Sequence, residues 1–413
     1  MANNRENFID SCRFILYLIN PKWADVMLTN TYFKESIQMM KPLFKFISMV
    51  LISLIFIGTI AAGGRRDDSA RGALTAQTVR LAFIHVGDQA DRGYTYRQHR
   101  GTLDMMAALG IGDSQVRNFW NISAGASVDT AILEAIEWGA DMIFGTSFGF
   151  GPHLREAAED HPNIQFFHAT GNLAVASGLP NFHNYFGNMS QARYLSGIAA
   201  GLRTRTNVLG FVAAHPNAEV ITGLTAFFLG AQSVNPNVQM YVMFMNAWNN
   251  PTLESQLAQA LINRGADVIA QHADSAAAQT TAQAAGVWSV GYNNDMIPMA
   301  PNAVLVSPMF DWSVYLTHAV RTILAGGVMP PDFLAGINEG MVFLSALNPN
   351  TVVPGTAEAI AAAEARIRGG WNIFTGPMVS AAGQQVLASG QTWVEPLSAP
   401  SWTHIIRGIT VVE

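Results

Sequence analysis

Gly139-Ala-Asp-Met-Ile-Phe144 is echoed by Gly265-Ala-Asp-Val-Ile-Ala270 further along the chain. Each copy follows an apolar pattern of helical period and precedes a polar loop, so the repeated unit is larger than the words themselves. Glycine in the first position ends a helix in the left-handed conformation at no side-chain cost, and the apolar run after Asp reads as a buried strand. Aligning the two words sets Ile136 over Ile262 and Ala135 over Leu261, so the apolar faces of the preceding helices coincide as well. Chance recurrence of a common helix-to-strand turn is the competing explanation, and the flanking elements favour duplication over it.

Upstream of the first copy the sequence predicts a strand over 79–86, a loop over 87–93, a helix over 94–109 closed by Gly110, a strand near 115–120 and a helix over 129–138. The same order restarts with a strand over 207–213, a helix over 218–233, a strand over 239–245, a helix over 253–264 and a strand over 267–270. Strand–helix alternation is the pattern of a parallel sheet covered on both faces. The expected fold class is therefore α/β, with two lobes of one plan. After Asn302 a strand over 303–307, a helix over 311–325 and a helix over 356–368 have no counterpart in the repeat. The expected organisation is an amino-terminal extension with export signal over 1–64, a linker over 65–78, lobe I over 79–186 with about 304–345 returning to it, and lobe II over 187–303 with part of 346–413 packing on it.

The chain has 413 residues, 50% hydrophobic and 13% charged, which is enough for a sizeable core. Residues 1–66 hold 8 Lys+Arg against 4 Asp+Glu, so of the totals of 23 and 29 the remainder holds 15 against 25. Every cation after Lys45 is arginine. An acidic surface without lysine is a poor platform for phosphate backbones, and nucleic acid is excluded as a partner. Lys41 and Lys45 precede the apolar run Phe46-Ile-Ser-Met-Val-Leu-Ile-Ser-Leu-Ile-Phe-Ile57, the pattern of an export signal at about 40–62. An uncleaved anchor is the alternative, although a span usually takes about 20 apolar residues. Thr59 follows Gly58 where a lipoprotein would carry cysteine, and the single cysteine, Cys12, lies ahead of the signal. The exported part thus has no thiol for lipid, disulfide or metal.

In open parallel sheets ligands bind beyond the carboxyl ends of the strands. The loops expected there are aromatic in both halves: Asp91-Arg-Gly-Tyr94-Thr-Tyr96, Thr146-Ser-Phe148-Gly-Phe150, Asn246-Ala-Trp248-Asn-Asn250, His272-Ala-Asp274-Ser275 and Gly291-Tyr-Asn293-Asn-Asp295. Flat rings with Asp and Asn among them make a slot for a planar, nitrogen-rich ligand, the rings stacking while carboxylates and amides read donor and acceptor edges.

With these loops and with His168-Ala-Thr-Gly171, Leu229-Gly-Ala-Gln-Ser-Val-Asn-Pro236 and Phe374-Thr-Gly-Pro377, the chain over about 79–380 resembles the basic membrane protein family of ABC-transporter substrate-binding proteins, which includes purine-nucleoside receptors and purine-base binders. The resemblance implies a type I periplasmic-binding fold, two Rossmann-like lobes joined by a crossover hinge, closing on a purine-like solute and delivering it to permease and ATPase subunits. It carries the binding role onto Tyr94, Phe148, Trp248, Asp274, Asn293 and Asp295, with Asp91 matching an acidic position of the family motif. Nucleoside receptors of the family have Phe-Asn where this chain has Tyr94-Thr95, and a lysine for the ribose hydroxyls where it reads Ser307-Pro-Met-Phe-Asp-Trp312. The departure favours a free base such as adenine over a nucleoside. The expected product is a periplasmic or outer-face monomer without cofactor, metal or catalytic residues.

Two alternatives stand beside it. The same fold could report a ligand to a membrane partner. Gly145-Thr-Ser147-Phe-Gly149 also fits the nucleophile-elbow pattern of a serine hydrolase, with Asp332 and His404 as conceivable partners, but Phe150-Gly-Pro152 separates Ser147 from its helix. No metal-ligand spacing or dinucleotide fingerprint accompanies it.

Overall fold

The structure, a computed structural model, describes residues 74–413. The expected export signal and the first part of the linker lie outside the described residues.

The first lobe runs β1 (Leu81–Ile84), α1 (Tyr94–Leu109), β2 (Val116–Phe119), α2 (Ala126–Trp138), β3 (Met142–Gly145), α3 (Gly151–Asp160), β4 (Gln165–Ala169), α4 (Leu173–Ser177) and β5 (Phe182–Gly187). The second runs α5 (Met189–Arg203), β6 (Val208–Ala213), α6 (Ala218–Val234), β7 (Gln239–Phe244), α7 (Pro251–Asn263), β8 (Val268–His272), α8 (Ala277–Ala284) and β9 (Trp288–Ser289). The chain then forms β10 (Pro308–Phe310), α9 (Ser313–Leu324), β11 (Asp332–Ala335), β12 (Val342–Leu344), α10 (Thr356–Arg368), β13 (Met378–Val379), β14 (Gln385–Leu387) and β15 (Ile409–Val411).

Two separate parallel sheets result, in the orders β11-β5-β4-β3-β1-β2 and β15-β7-β6-β8-β9. Stripped of β11, β5 and β15, both read second-first-third-fourth strand, so the lobes share one winding. The type I solute-binding architecture is thus present, with helices on both faces of each sheet.

The repeated word explains its own recurrence. Gly139 and Gly265 both take φ +95°, and each donates its N–H to the carbonyl three residues back, Ile136 and Ile262, at 2.9 Å. Ala140 and Ala266 then donate to Ala135 and Leu261, completing the same left-handed helix end twice. Asp141 accepts from the backbone N–H of Arg80 ahead of β1, and Asp267 accepts from Arg205 and Thr206 ahead of β6. In each lobe the aspartate fastens the third strand to the start of the first.

The strand expected over 303–307 shrinks to a single bridge from Val304 to Ser289, and the ladder begins instead at Pro308, which pairs with Leu344. The run is buried and apolar, but Leu305 and Ser307 spend their bonds irregularly on Ser289, Asn348 and Ser345. The elements between Gly151 and Arg203 do not emerge from period alone. Phe182-His-Asn-Tyr-Phe-Gly187 is buried at every position, so its polar residues mask the strand, and α5 is buried over most of its length.

Candidate ligand-binding site

Residues from the carboxyl ends of strands in both lobes enclose one cleft with about 370 Å³ of atom-free space, its mouth included. Val86 follows β1, Thr146, Ser147 and Phe148 follow β3, and Thr170 follows β4; Tyr94 opens α1. From the other side come Glu219 in the first turn of α6, Trp248 after β7, His272 and Asp274 at β8, and Tyr292 and Asn293 after β9.

Each ring is held by the chain beneath it. Tyr94 donates its hydroxyl to the Thr146 carbonyl at 2.6 Å, accepts from Gln98 at 3.0 Å, and rests edge-on against Trp312. Its polar tip is thereby spent, leaving the ring face for a ligand. Burial pushes its pKa well above 10, so the phenol stays neutral. Phe148, 52% exposed, stands at the rim. Its loop is anchored from below by His168, whose Nε2 lies 2.9 Å from the Ser147 carbonyl while Nδ1 faces the Asn184 amide. Burial lowers the His168 pKa to about 4, so the ring is neutral, as one donating and one accepting nitrogen require. Trp248 is half-buried, edge-on to His215 at 4.9 Å, and its carbonyl accepts from the Asp274 N–H.

The polar groups are less satisfied. Asn293 is 1% exposed, its backbone sits at φ +64°, and neither its Nδ2 nor its Oδ1 has a partner. Thr170 also takes positive φ, +63°, in the same lining, an outlier for a β-branched residue. Such strain collects where structure serves a ligand. Asp274 is 7% exposed, and burial with Asp91, Glu254 and Glu219 nearby raises its pKa well above the carboxylate range. Among the described residues no hydrogen-bond donor to its carboxylate is seen.

Behind these stands a buried row. The His272 Nε2 lies 3.4 Å from Glu219 Oε1 and 3.3 Å from the Tyr292 hydroxyl. Arg193 places its guanidinium 3.5 Å from the centre of the Tyr292 ring and donates to the Gln271 carbonyl. Burial raises Glu219 to about 7 and lowers His272 well below 6.5.

Of the seven residues singled out from sequence, Tyr94, Phe148, Trp248, Asp274 and Asn293 meet in this lining. Asp91 and Asp295 do not. The Asp91 carboxylate accepts from the N–H groups of Gly93, Thr95 and Tyr96, fixing the first turn of the helix that carries Tyr94. Asp295 accepts from the Ile297 N–H and ties its own turn. Glu219, His272 and Tyr292 were not foreseen. His272 stands in the quoted loop words, but Glu219 is one acidic residue in an ordinary helix first turn, and only the fold turns it inward.

The lobes touch along a seam beside the cleft. Asn294 Nδ2 donates to the Arg92 carbonyl at 3.1 Å, and Gly93 lies so close to Asp274 that a Cβ there would stand 2.2 Å from the Asp274 carbonyl oxygen.

Ser147 does not adopt elbow geometry. Its backbone is extended, at φ −137° and ψ 143°, a 3-10 turn separates it from α3, and the imidazole that reaches it bonds its carbonyl. Asp332 is committed to the Ser398 hydroxyl and N–H. Among the described residues no cluster of three metal-ligating side chains occurs, and no helix is long and apolar enough to cross a membrane.

The family model of PnrA-like ABC transporter substrate-binding proteins matches residues 78–364. A purine-binding protein of Brucella abortus is 32% identical over 318 residues, covering 76% of this chain and 88% of that one. A Haloferax volcanii protein, named provisionally as an ABC transporter glucose-binding protein, is 33% identical over 298 residues, 72% of this chain and 74% of that one. Among solved structures, an ABC transporter solute-binding protein from Conexibacter woesei superposes with a TM-score of 0.59 at 17% identity, covering 71% of this chain and 97% of that one, a likeness of fold.

Proposed function

The chain belongs to the PnrA-like family of ABC transporter substrate-binding proteins, and from that premise we propose that it works outside the cytoplasmic membrane as a monomer that traps a purine-like free base, adenine before any nucleoside, for import. Tyr94, Phe148 and Trp248 supply ring faces. Asn293 and Asp274 read the edge of the base.

The observation that carries this reading is Asn293. A buried primary amide with both ends unbonded costs stability unless a ligand completes it. One acceptor and one donor side by side match the N–H and ring-nitrogen pair of an aminopurine edge. The cleft is narrow and flanked by ring faces from both lobes, which suits a small flat molecule. No lysine follows Lys45 to meet ribose hydroxyls. The purine-binding name of the Brucella relative points the same way.

Asp91 and Asp295 serve in this reading as supports of the binding loops. No catalytic step is assigned. Mass spectrometry of the small molecule copurifying with the protein, followed by calorimetric titration with adenine, adenosine and glucose, tests the proposal. Adenine is expected to bind tightest. Tight glucose binding with no response to adenine would replace the base with a sugar.

A further inference from the structure

The cleft is unbalanced in charge. Glu219 and Asp274 line it directly. Glu254, 0% exposed, lies under the Asp274 loop, bonded to the Ser275 hydroxyl and the Ala278 N–H, and Asp91 stands across the seam. Four acidic groups therefore act on one small volume. No lysine or arginine lines it. The facing cation is Arg193, which lies behind the Tyr292 ring, still carries two unbonded nitrogens, and acts on Glu219. His272 and His215, the imidazoles facing Glu219, are both driven toward the neutral form by burial.

Arg193 can offset one carboxylate. Asp91 is answered by three backbone N–H groups and Glu254 by two donors. Asp274 has nothing. A buried carboxyl without a donor is tolerated only as the neutral acid or opposite a ligand that supplies positive charge or N–H groups. Asn293, independently unbonded at both amide atoms, stands in the same lining.

We propose that the cleft sorts ligands by charge: Asp274 and Glu219 make it a receptor for flat nitrogen bases bearing an amidine group, as aminopurines do, and make it refuse the oxo analogues of the same shape and every anion. This rests on the cleft being the ligand site, as proposed above, and not on the ligand being a purine. A protonated amidine turns two N–H donors toward a carboxylate, and the neutral edge of an aminopurine turns one amino N–H and one ring-nitrogen lone pair toward a carboxylic acid. An oxo analogue turns one N–H and one oxygen lone pair toward it, so against a carboxylate one of its two contacts is repulsive. A neutral aminopurine edge meets the neutral acid as a hydrogen-bonded pair, its ring nitrogen accepting the carboxyl O–H and its amino N–H donating to the carboxyl oxygen, whereas a strongly basic amidine binds as amidinium against carboxylate.

The test is calorimetric titration of the full-length protein with adenine and hypoxanthine, and separately with benzamidine, benzamide and benzoate. Adenine should bind at least tenfold more tightly than hypoxanthine, benzamidine more tightly than benzamide, and benzoate not measurably. Asp274→Asn, which keeps shape and gains a donor, should bring the adenine-to-hypoxanthine ratio close to one, and Glu219→Gln should lower it by less. Melting curves of both variants check folding. If neither purine binds, the purine reading fails, and the benzamidine-to-benzamide comparison alone decides the charge claim. Equal binding of amidine and amide probes, or an Asn variant that discriminates as sharply as the parent, overturns it.

Discussion

Gly93→Ala should separate closure from folding. Gly93 stands at the start of α1 in lobe I, and the atom its new Cβ meets is the Asp274 carbonyl oxygen in lobe II, at 2.2 Å. Real Cβ contacts essentially never fall below 3.0 Å, so the lobes must part there by at least 0.8 Å. The neighbouring Asn294–Arg92 hydrogen bond, 3.1 Å in the closed seam, then stretches beyond hydrogen-bond range. Overpacking of this kind costs about 1–3 kcal/mol. The seam exists only when the lobes meet, so the cost falls on closure, and ligand dissociation constants should rise about five- to 150-fold. Calorimetry gives the affinity. Small-angle scattering with and without ligand gives the compaction, and a melt without ligand should match the parent. Undiminished affinity together with full ligand-induced compaction refutes the assignment of this seam to closure.

Trp248→Ala should weaken ligand binding by about 2 kcal/mol, the scale of an aromatic anchor, with the fold intact, and an unchanged titration would remove Trp248 from the site. Glu254 carries a pH signature: burial raises it from 4.5 to about 7, so the folded chain holds the proton longer than the unfolded one and the parent loses stability as pH rises between those values, by something on the order of 3 kcal/mol. Glu254→Gln should remove that slope, and urea melts of parent and variant at pH 5 and pH 8 that run parallel would contradict it. His168 has the opposite sign: with the folded pKa lowered to about 4 from 6.5, its contribution is complete above 6.5 and is lost as pH falls toward 4. Its imidazole resonance should stay that of a neutral ring down to about pH 5, and a midpoint near 6.5 would place it in water.

The parts of the fold that follow from period and punctuation were open to reading. Helices 94–109 and 356–368 coincide with α1 and α10, because left-handed glycine at 110 and the Gly369-Gly370 pair mark their ends. The stretch from 151 to 203 was closed to reading for a physical reason. β5 and α5 are buried on all sides, so neither alternates, and polar residues such as His183, Asn184 and Arg193 are accepted inside because tertiary partners bond or stack on them. At the site, the rings were visible because aromatics in loops stand out. Tyr292 stood in one of those aromatic loops, but Glu219 did not stand out, since only the fold turns the first turn of α6 toward the cleft. Asp91 and Asp295 lie outside this lining and bond their own loops, a use of a carboxylate that the sequence does not distinguish from contact with a ligand.

How far the lobes can move follows from what crosses between them. The chain passes from β5 to α5 at Gly187–Met189, and returns and departs again through β10 and β12, which pair antiparallel from Pro308–Leu344 to Phe310–Val342. Gly187 is wedged against this ribbon, since a Cβ there would stand 2.8 Å from both Phe310 and Val342. A two-stranded ribbon with the chain at Gly187 packed against it resists shear but bends easily across its length, which favours hinge rotation over sliding. A further tie acts outside the ribbon. The carboxyl-terminal segment bonds the β11 Asp332 of the first sheet through Ser398, and within the next few residues buries Trp402, whose carbonyl accepts from the Thr222 hydroxyl of α6 before the chain ends in β15 of the second sheet. That short strap spans the hinge on one side. A hinge opening that keeps this strap in place pivots near it and carries the seam at Gly93 and Asp274 apart.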